Sequence, residues 1–496
     1  MKCPELLLRT HLRHLIQTQR VVRFFGTAFA LGFASALMAQ GLPTEVEAAL
    51  QRAGISKEAV AIQVSEVPGR TPPRLSHRAA VSVNPASVMK LVTTYAGLDL
   101  LGPSFFWVTP VFVEGTVRNG VLNGNLIIKG QGDPKLVSER LWLLLRRVQG
   151  LGIKTINGDI VLDRSAFETL ETDPSLFDGE PLRPYNAAPD ALLLNFKAVV
   201  MTFVPDRTSG VAQLQVEPPL AGVQIPVNVP LGNGPCNDYR GNLKADFSDP
   251  AQIRFNGSYP ASCGERVWPV AYADPKTFAA RAVEGMWREM GGKLLGTVRD
   301  GKLDSNAAKP AFELTSPALA EIIRDINKYS NNVMAQQLFL TIGLHSKSGL
   351  QAHGGVGNTA TLAASRETVQ RWWRAQVGDS DVPVLDNGSG LSRTERVTAQ
   401  GLARLLQVAY ASPLMPELMS SLPITGLDGT LRNSRSKARG TAHLKTGTLR
   451  DVAAIAGYVL AQNGRRYAVV MIVNQPGAAA ARPAMDALVD WVAAEK

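Results

Sequence analysis

The chain has 496 residues and a mass of 53.3 kDa, more than a single hydrophobic core comfortably holds, so two or more domains are expected. With 45% hydrophobic and 19% charged residues it is an ordinary globular composition, which excludes a disordered chain. The formal charge is +10, yet no dense Lys/Arg run carries interleaved aromatics, so nucleic acid is not an expected partner.

Residues 1–39 hold Lys2, Arg9, Arg13, Arg20 and Arg23 against Glu5, a net of +4, which leaves +6 on the remainder. That surplus suits peripheral contact with an anionic membrane surface or with polyanionic envelope polymers. The same segment reads as a secretory signal. Basic residues precede an apolar stretch from Phe24 to Met38, which ends in small residues before Gln40. Its 15 residues fall short of the roughly 20 needed to span a bilayer, so cleavage near residues 36–39 and export to the periplasm are expected. Cys3 leaves with that leader. Cys236 and Cys263 remain, and two cysteines in an exported chain most simply pair, with two buried free thiols as the alternative.

Residues 42–101 read as a short helix, a strand from Val60 to Val67, a loop and a long helix. Asn84 is placed to cap that helix, and Pro85 sits at its first position. Val88, Leu91, Val92, Tyr95 and Leu98 recur at helical spacing and define a buried face. From 102 to 270 the character changes to short apolar runs (Phe106 to Val113, Val121 to Lys129, Val211 to Val216, Val223 to Val229) broken by Gly, Pro and Asn, the pattern of one or two inserted β-rich modules. Helical spacing returns at Pro275 to Met290 and at Pro317 to Lys328, with Ser316 as the cap of the latter. Thr368 to Gln376, with Trp372 and Trp373, reads as a surface helix. His443 to Leu449, Val452 to Leu460 and Tyr467 to Val473 read as three antiparallel strands, the last two joined at Asn463-Gly464, and Ala478 to Ala494 closes the chain as a helix. The expected organisation is a domain built from 40–101 and 271–496, interrupted by the insertion 102–270.

Three short motifs carry the chemistry: Ser87-Val88-Met89-Lys90, Ser330-Asn331-Asn332 and Lys445-Thr446-Gly447, which are S-x-x-K, S-x-N and K-T-G in chain order. Ser87 and Lys90 stand one helical turn apart near a helix N-terminus, where the field disfavours an ammonium ion and favours an oxyanion. A partly desolvated lysine there can serve as base for the serine. Ser330-Asn331-Asn332 falls in an expected interhelical turn, where a hydroxyl can relay a proton and the Asn332 amide can bind a carbonyl. On a strand, Lys445 and Gly447 point one way and Thr446 the other, and the glycine lets backbone approach backbone. Each motif alone is common. Ser434-Arg435-Ser436-Lys437 also fits S-x-x-K but lies in a polar basic loop, and Ser82-Val83-Asn84 also fits S-x-N. Gly130-x-Gly132 has Lys135 at the third glycine position, so no nucleotide site is expected. His77, His345, His353 and His443 show no paired ligand spacing, so neither a metal nor another cofactor is expected.

With these motifs the chain resembles the D-alanyl-D-alanine carboxypeptidase/endopeptidase family, low-molecular-mass class C penicillin-binding proteins with a large insertion between the first two motifs. The 243 residues from Ser87 to Ser330 match that insertion, unlike a compact β-lactamase. Gly130-Gln131-Gly132-Asp133-Pro134, Asp386-Asn387-Gly388-Ser389-Gly390-Leu391-Ser392-Arg393 and Gly426-Leu427-Asp428-Gly429-Thr430-Leu431 support the resemblance. It implies an α/β (α+β) fold: a β-lactamase/transpeptidase-like catalytic domain, with an antiparallel sheet between helical layers, that carries inserted β-rich modules. Ser87 would be the acylated nucleophile and Lys90 its base. Ser330 and Lys445 would assist proton transfer, and Asn332 would hold the peptide. The backbone amides of Ser87 and Thr448 would form the oxyanion hole, while Thr446, Gly447 and Thr448, with Arg393, would receive the terminal D-alanine carboxylate. Arg450 stands where a neutral polar residue is common, near the substrate's side chain. Peptidoglycan stem peptides are the implied substrate and β-lactams the implied covalent inhibitors. A β-lactamase and a non-catalytic peptidoglycan-binding scaffold are the alternatives.

Overall fold

The computed structural model describes residues 41–69, 71–170, 173–304, 309–346 and 359–496. The expected leader and His353 lie outside the described residues. Among the described residues no helix is long and apolar enough to cross a membrane.

The two ends of the chain build one antiparallel sheet of five strands, in the order Ala442–Leu449, Val452–Leu460, Arg466–Asn474, Val60–Val67, Leu75–His77. Val60 pairs with Val473 and Val67 with Arg466, so the first long strand lies against the last. Side chains alternate across the pleat, and here both faces are covered, which is why Val452–Leu460 reads as a continuous apolar run. Ala454, Ala456 and Tyr458 face one core with Val470 and Ile472, against the helices Lys90–Leu101, Leu319–Tyr329, Asn332–Ser346, Leu362–Gln376 and Ala399–Ala411. Ala453, Ile455 and Val459 face the other core, closed by Thr44–Arg52 and Arg482–Ala493. The result is a sheet between helical layers, as the resemblance implies.

Between the first and second motifs the chain makes two larger sheets around one core, besides a two-stranded pairing of Ala245–Asp246 with Arg254–Phe255. Seven strands (Val108–Arg118, Val121–Lys129, Thr155–Ile156, Ile160–Asp163, Lys293–Leu294, Val298–Asp300 and Phe312–Thr315) form the first. Ala198–Asp206, Val211–Glu217, Asn228–Gly232, Tyr259–Pro260 and Arg266–Ala271 form the second. Cys236 and Cys263 are disulfide-bonded, with Cα atoms 4.9 Å apart.

Five local expectations differ from the structure. The run Val223 to Val229 is a strand only at its end, where Asn228–Gly232 begins, and Asn84 and Pro85 precede a 3-10 turn, Ala86–Met89, instead of opening the helix, which starts at Lys90. The sequence pattern places the stretch after residue 270 in the first domain. Helix Phe278–Glu289 instead buries Phe278, Ala282, Val283 and Trp287 in the core of the two inserted sheets, and Phe312–Thr315 pairs antiparallel with Val108–Arg118. Strands of two and three residues, Lys293–Leu294 and Val298–Asp300, carry too little pattern to be seen in sequence. Ser316 does not cap the next helix: Ala318 occupies that position, and the Ser316 hydroxyl accepts from the Trp107 N–H and donates to the Pro317 carbonyl. The helix read at the surface runs Leu362–Gln376 with Thr361 as its cap, and both its tryptophans are buried, Trp372 donating to Asp99 at 2.7 Å.

Candidate active site

The segment around Ser87 is held from several directions. The Asn84 side chain accepts from the Ala86 N–H at 2.9 Å and donates to the Ser392 carbonyl, while its backbone exchanges hydrogen bonds with the Asn474 amide. Asn84 thus ties the turn to the central sheet. The regular α-helix starts only at Lys90. Ala86–Met89 is a 3-10 turn, in which side chains three residues apart eclipse. Ala86 has a φ of +47°, a left-handed conformation that costs a non-glycine residue about 1–2 kcal/mol. Two glycines press on this turn. A Cβ on Gly390 would lie 2.0 Å from the Ala86 carbonyl oxygen, and one on Gly447 would lie 2.7 Å from that of Pro85. No larger residue fits either place without moving Ser87.

The eclipsed turn brings Lys90 Nζ to 3.0 Å from Ser87 Oγ. The ammonium nitrogen also contacts Asn332 Oδ1 at 2.7 Å and the Ser389 carbonyl. Lys90 is fully buried. Burial depresses its pKa from 10.5 to about 7, against the opposing pull of the Glu395 carboxylate. Asn332 is the first residue of helix Asn332–Ser346, and its amide nitrogen donates to the Tyr185 carbonyl at 3.4 Å.

Lys445 lies on the edge strand of the sheet. Its Nζ donates to Ser330 Oγ at 2.8 Å and to the Thr446 carbonyl at 2.7 Å. It too is fully buried, and burial, followed by the charge of Lys90, holds its pKa well below the usual lysine range. Ser330 has a φ of +57° and ends helix Leu319–Tyr329, so a left-handed residue aims its hydroxyl at Lys445. Along the strand Lys445 and Gly447 are buried, Thr446 is half-buried and Thr448 is exposed, the alternation expected of them. The Thr446 and Thr430 hydroxyls share a hydrogen bond of 2.7 Å. The segment bearing Thr430 is anchored by Asp428, which accepts from the buried Lys328 at 2.6 Å and from the Ile424 N–H at 2.7 Å.

Ser87, Ser330, Asn332 and Thr448 line one cleft of about 1090 Å³, with Arg393 and Arg450 at its rim. The inserted modules supply the facing wall through Phe177, Tyr185 and Phe196, and the Arg393 guanidinium stacks 4.5 Å from the Phe177 ring centre. Ser87, Ser330, Asn332, Thr448, Arg393 and Arg450 therefore share one cleft, to which Lys90 and Lys445 are joined by hydrogen bonds to Ser87, Asn332 and Ser330, while Gly130 and Gly132 pack against Ala191 and Phe167 and the two cysteines against the core of the insertion. Sequence reasoning missed the Ser389 and Tyr185 carbonyls, because a backbone acceptor leaves no mark on residue type. It also missed Glu395, two residues beyond Arg393 and wholly buried.

A serine hydroxyl against a near-neutral amine, with a second amine–hydroxyl pair across the cleft and a helix-flanked antiparallel sheet beneath, defines a serine-type acyl-transfer hydrolase. The chain belongs to the D-Ala-D-Ala carboxypeptidase 3 (S13) family, which matches residues 42–495, and is a serine DD-peptidase. It is 28% identical over 403 residues to a D-alanyl-D-alanine carboxypeptidase of Actinomadura sp. (strain R39), covering 77% of this chain and 71% of the relative. With the D-alanyl-D-alanine carboxypeptidase DacB of Haemophilus influenzae the identity is 25% over 394 residues, 78% of this chain and 80% of the relative. The crystal structure of penicillin binding protein 4 from Haemophilus influenzae shares the fold at a TM-score of 0.69 and 21% identity, covering 91% of this chain and 100% of that one.

Proposed function

We propose that the protein is exported to the periplasm and cleaves the terminal D-Ala-D-Ala bond of peptidoglycan stem peptides, and the D-Ala cross-link to a diamino acid, through an acyl-enzyme on Ser87. The observation that carries this reading is the 3.0 Å contact between Ser87 Oγ and a buried Lys90 whose pKa lies near 7. In that state a substantial share of Lys90 is unprotonated at neutral pH and can take the hydroxyl proton as Oγ attacks the carbonyl carbon of the penultimate D-alanine. The oxyanion that forms is received by the backbone N–H groups of Ser87 and Thr448. The proton taken by Lys90 passes by way of Ser330 and Lys445, which are joined at 2.8 Å, to the peptide nitrogen as it leaves, and Lys90 is thereby returned to its neutral form. Water then cleaves the ester, with Lys90 again as base, and releases the shortened peptide.

Asn332 holds the peptide while Thr446, Gly447, Thr448 and Arg393 receive the terminal carboxylate. Arg450 stands at the rim beside the substrate's side chain. β-Lactams acylate the same hydroxyl. The packing further supports a domain division in which the insertion runs to about residue 315, beyond the boundary at 270, before the chain rejoins the first core at Leu319.

Digestion of purified cross-linked muropeptides tests the reading. Wild-type protein should release free D-alanine from pentapeptides and split dimers, whereas Ser87→Ala should do neither. Rapid turnover of benzylpenicillin would point to a β-lactamase instead, and an intact wild-type protein without either activity would point to a scaffold.

A further inference from the structure

We infer that Glu395 is a positioning residue for the base: through the loop Asp386–Ser389 it fixes the carbonyl that orients Lys90. This rests on Lys90 being the base of the reading above. Glu395 is 0% exposed, and one of its carboxylate oxygens accepts three backbone N–H groups, from Gly388 at 2.8 Å and from Asp386 and Asn387 at 3.2 Å each. Its other oxygen has no hydrogen-bond partner among the described residues. So compact a cradle determines the path of the loop. The Gly388 carbonyl is turned onto Thr93 Oγ1 at 2.6 Å, and the next carbonyl, that of Ser389, onto Lys90 Nζ. A Cβ at Gly388 would approach the Phe339 ring at 2.5 Å, so the loop has no room to shift inward.

The geometry of a neutral amine shows why that carbonyl matters. Its nitrogen has two N–H bonds and one lone pair besides Cε. Two of the three oxygen neighbours of Lys90, Asn332 Oδ1 and the Ser389 carbonyl, can only accept. They take the two N–H bonds and leave the lone pair facing the third neighbour, the Ser87 hydroxyl. Without the Ser389 carbonyl an N–H can swing toward Ser87, and the amine then offers a proton where it should accept one.

Glu395 also carries charge. It faces Lys90 from the far side of the loop, and its negative charge favours the ammonium form. Burial raises its own carboxyl to about 6. The other charged group acting on it is Asp386 in the loop, which is paired with Arg366 of helix Leu362–Gln376 at 2.9 Å, while Lys445 acts on Lys90. Arg396 donates to the carbonyl of Glu395, not to its carboxylate.

The test is the second-order rate constant for acylation by a fluorescent penicillin, measured from pH 5 to 9 on wild type, Glu395→Gln and Glu395→Asp, with Ser87→Ala alongside. Glu395→Gln removes the charge, so the acid limb of the profile should move to lower pH by about half a unit to one unit. Glu395→Asp keeps the charge but falls one methylene short of the amides, so its limb should stay in place while its limiting rate drops about tenfold. A purely structural role predicts lower melting temperatures with an unmoved limb and an unchanged limiting rate for the folded protein, and that result overturns the inference. If Glu395→Gln does not fold, the limiting rate of Glu395→Asp decides. Labelling of Ser87→Ala would instead refute the assignment of the nucleophile.

Discussion

Replacing Gly447 by alanine tests the close approach on which the whole cleft depends. The new Cβ would lie 2.7 Å from the Pro85 carbonyl oxygen, 3.1 Å from the Ser87 nitrogen and 3.2 Å from Ala86 Cβ. Ordinary contact begins near 3.4 Å, so the edge strand and the nucleophile turn must separate by about 0.7 Å. Neither partner yields easily. The strand is paired along its whole length with Val452–Leu460, and the turn is pinned by Asn84 and Gly390. Overpacking of this kind costs about 1–3 kcal/mol of stability. The larger effect falls on chemistry, because the strand carries Lys445 and Thr448 and the turn carries Ser87. A displacement approaching 1 Å between reacting groups lowers the rate by about 10- to 100-fold. The assay is penicillin acylation below the melting transition, with thermal unfolding measured in parallel. Gly464→Ala is the control: it lies in the far hairpin with a φ of +81° and open space around it, so it should cost about 1–2 kcal/mol and leave acylation untouched. Acylation of Gly447→Ala at the wild-type rate would refute the packing argument.

Further expectations concern pH, the disulfide and the core. With Lys90 depressed from 10.5 to about 7, the unprotonated form is the active one, so acylation should rise with pH through about 7. The unfolded chain binds that proton up to about pH 10.5, so Lys90 adds stability as pH rises between these values. Lys90→Met should lessen the gain in urea midpoint from pH 7 to 9, and an unaltered gain would count against the shift. Reduction of Cys236–Cys263 opens a loop with a separation of 27 residues and should cost about 3.5 kcal/mol by the chain-entropy relation. Acylation well below the melting temperature should survive reduction, since neither cysteine lines the cleft. Trp373→Ala should cost about 3–5 kcal/mol by urea unfolding, because the ring is 0% exposed, and a loss under about 1 kcal/mol would contradict that burial.

Much of the catalytic region was legible from its residues. Val452–Leu460 is an uninterrupted apolar run that stops at the strand end, Val60–Val67 sets Val60, Ile62 and Val64 at alternate positions, and Asn463-Gly464 marks its hairpin plainly. What escaped was tertiary. Helix Phe278–Glu289 looks amphipathic in any context, and nothing in its pattern says which core it joins. Trp372 and Trp373 sit beside charged neighbours, yet both indoles find partners inside. At the site, motif spacing brought out the side chains that meet there, Ser87 with Lys90 and Ser330 with Lys445. The groups that aim them, the Ser389 carbonyl, the left-handed Ala86 and the buried Glu395, depend on loops that meet only in the fold.

The central claim is that one alcohol is acylated. Wild-type protein incubated with benzylpenicillin at pH 8, digested and mapped by mass spectrometry, should carry a single penicilloyl adduct on the peptide containing Ser87. Ser87→Ala should carry none, and Lys90→Met should acquire it about 10²- to 10⁴-fold more slowly. An adduct on Ser330 or Ser434, or one that persists in Ser87→Ala, would contradict the account.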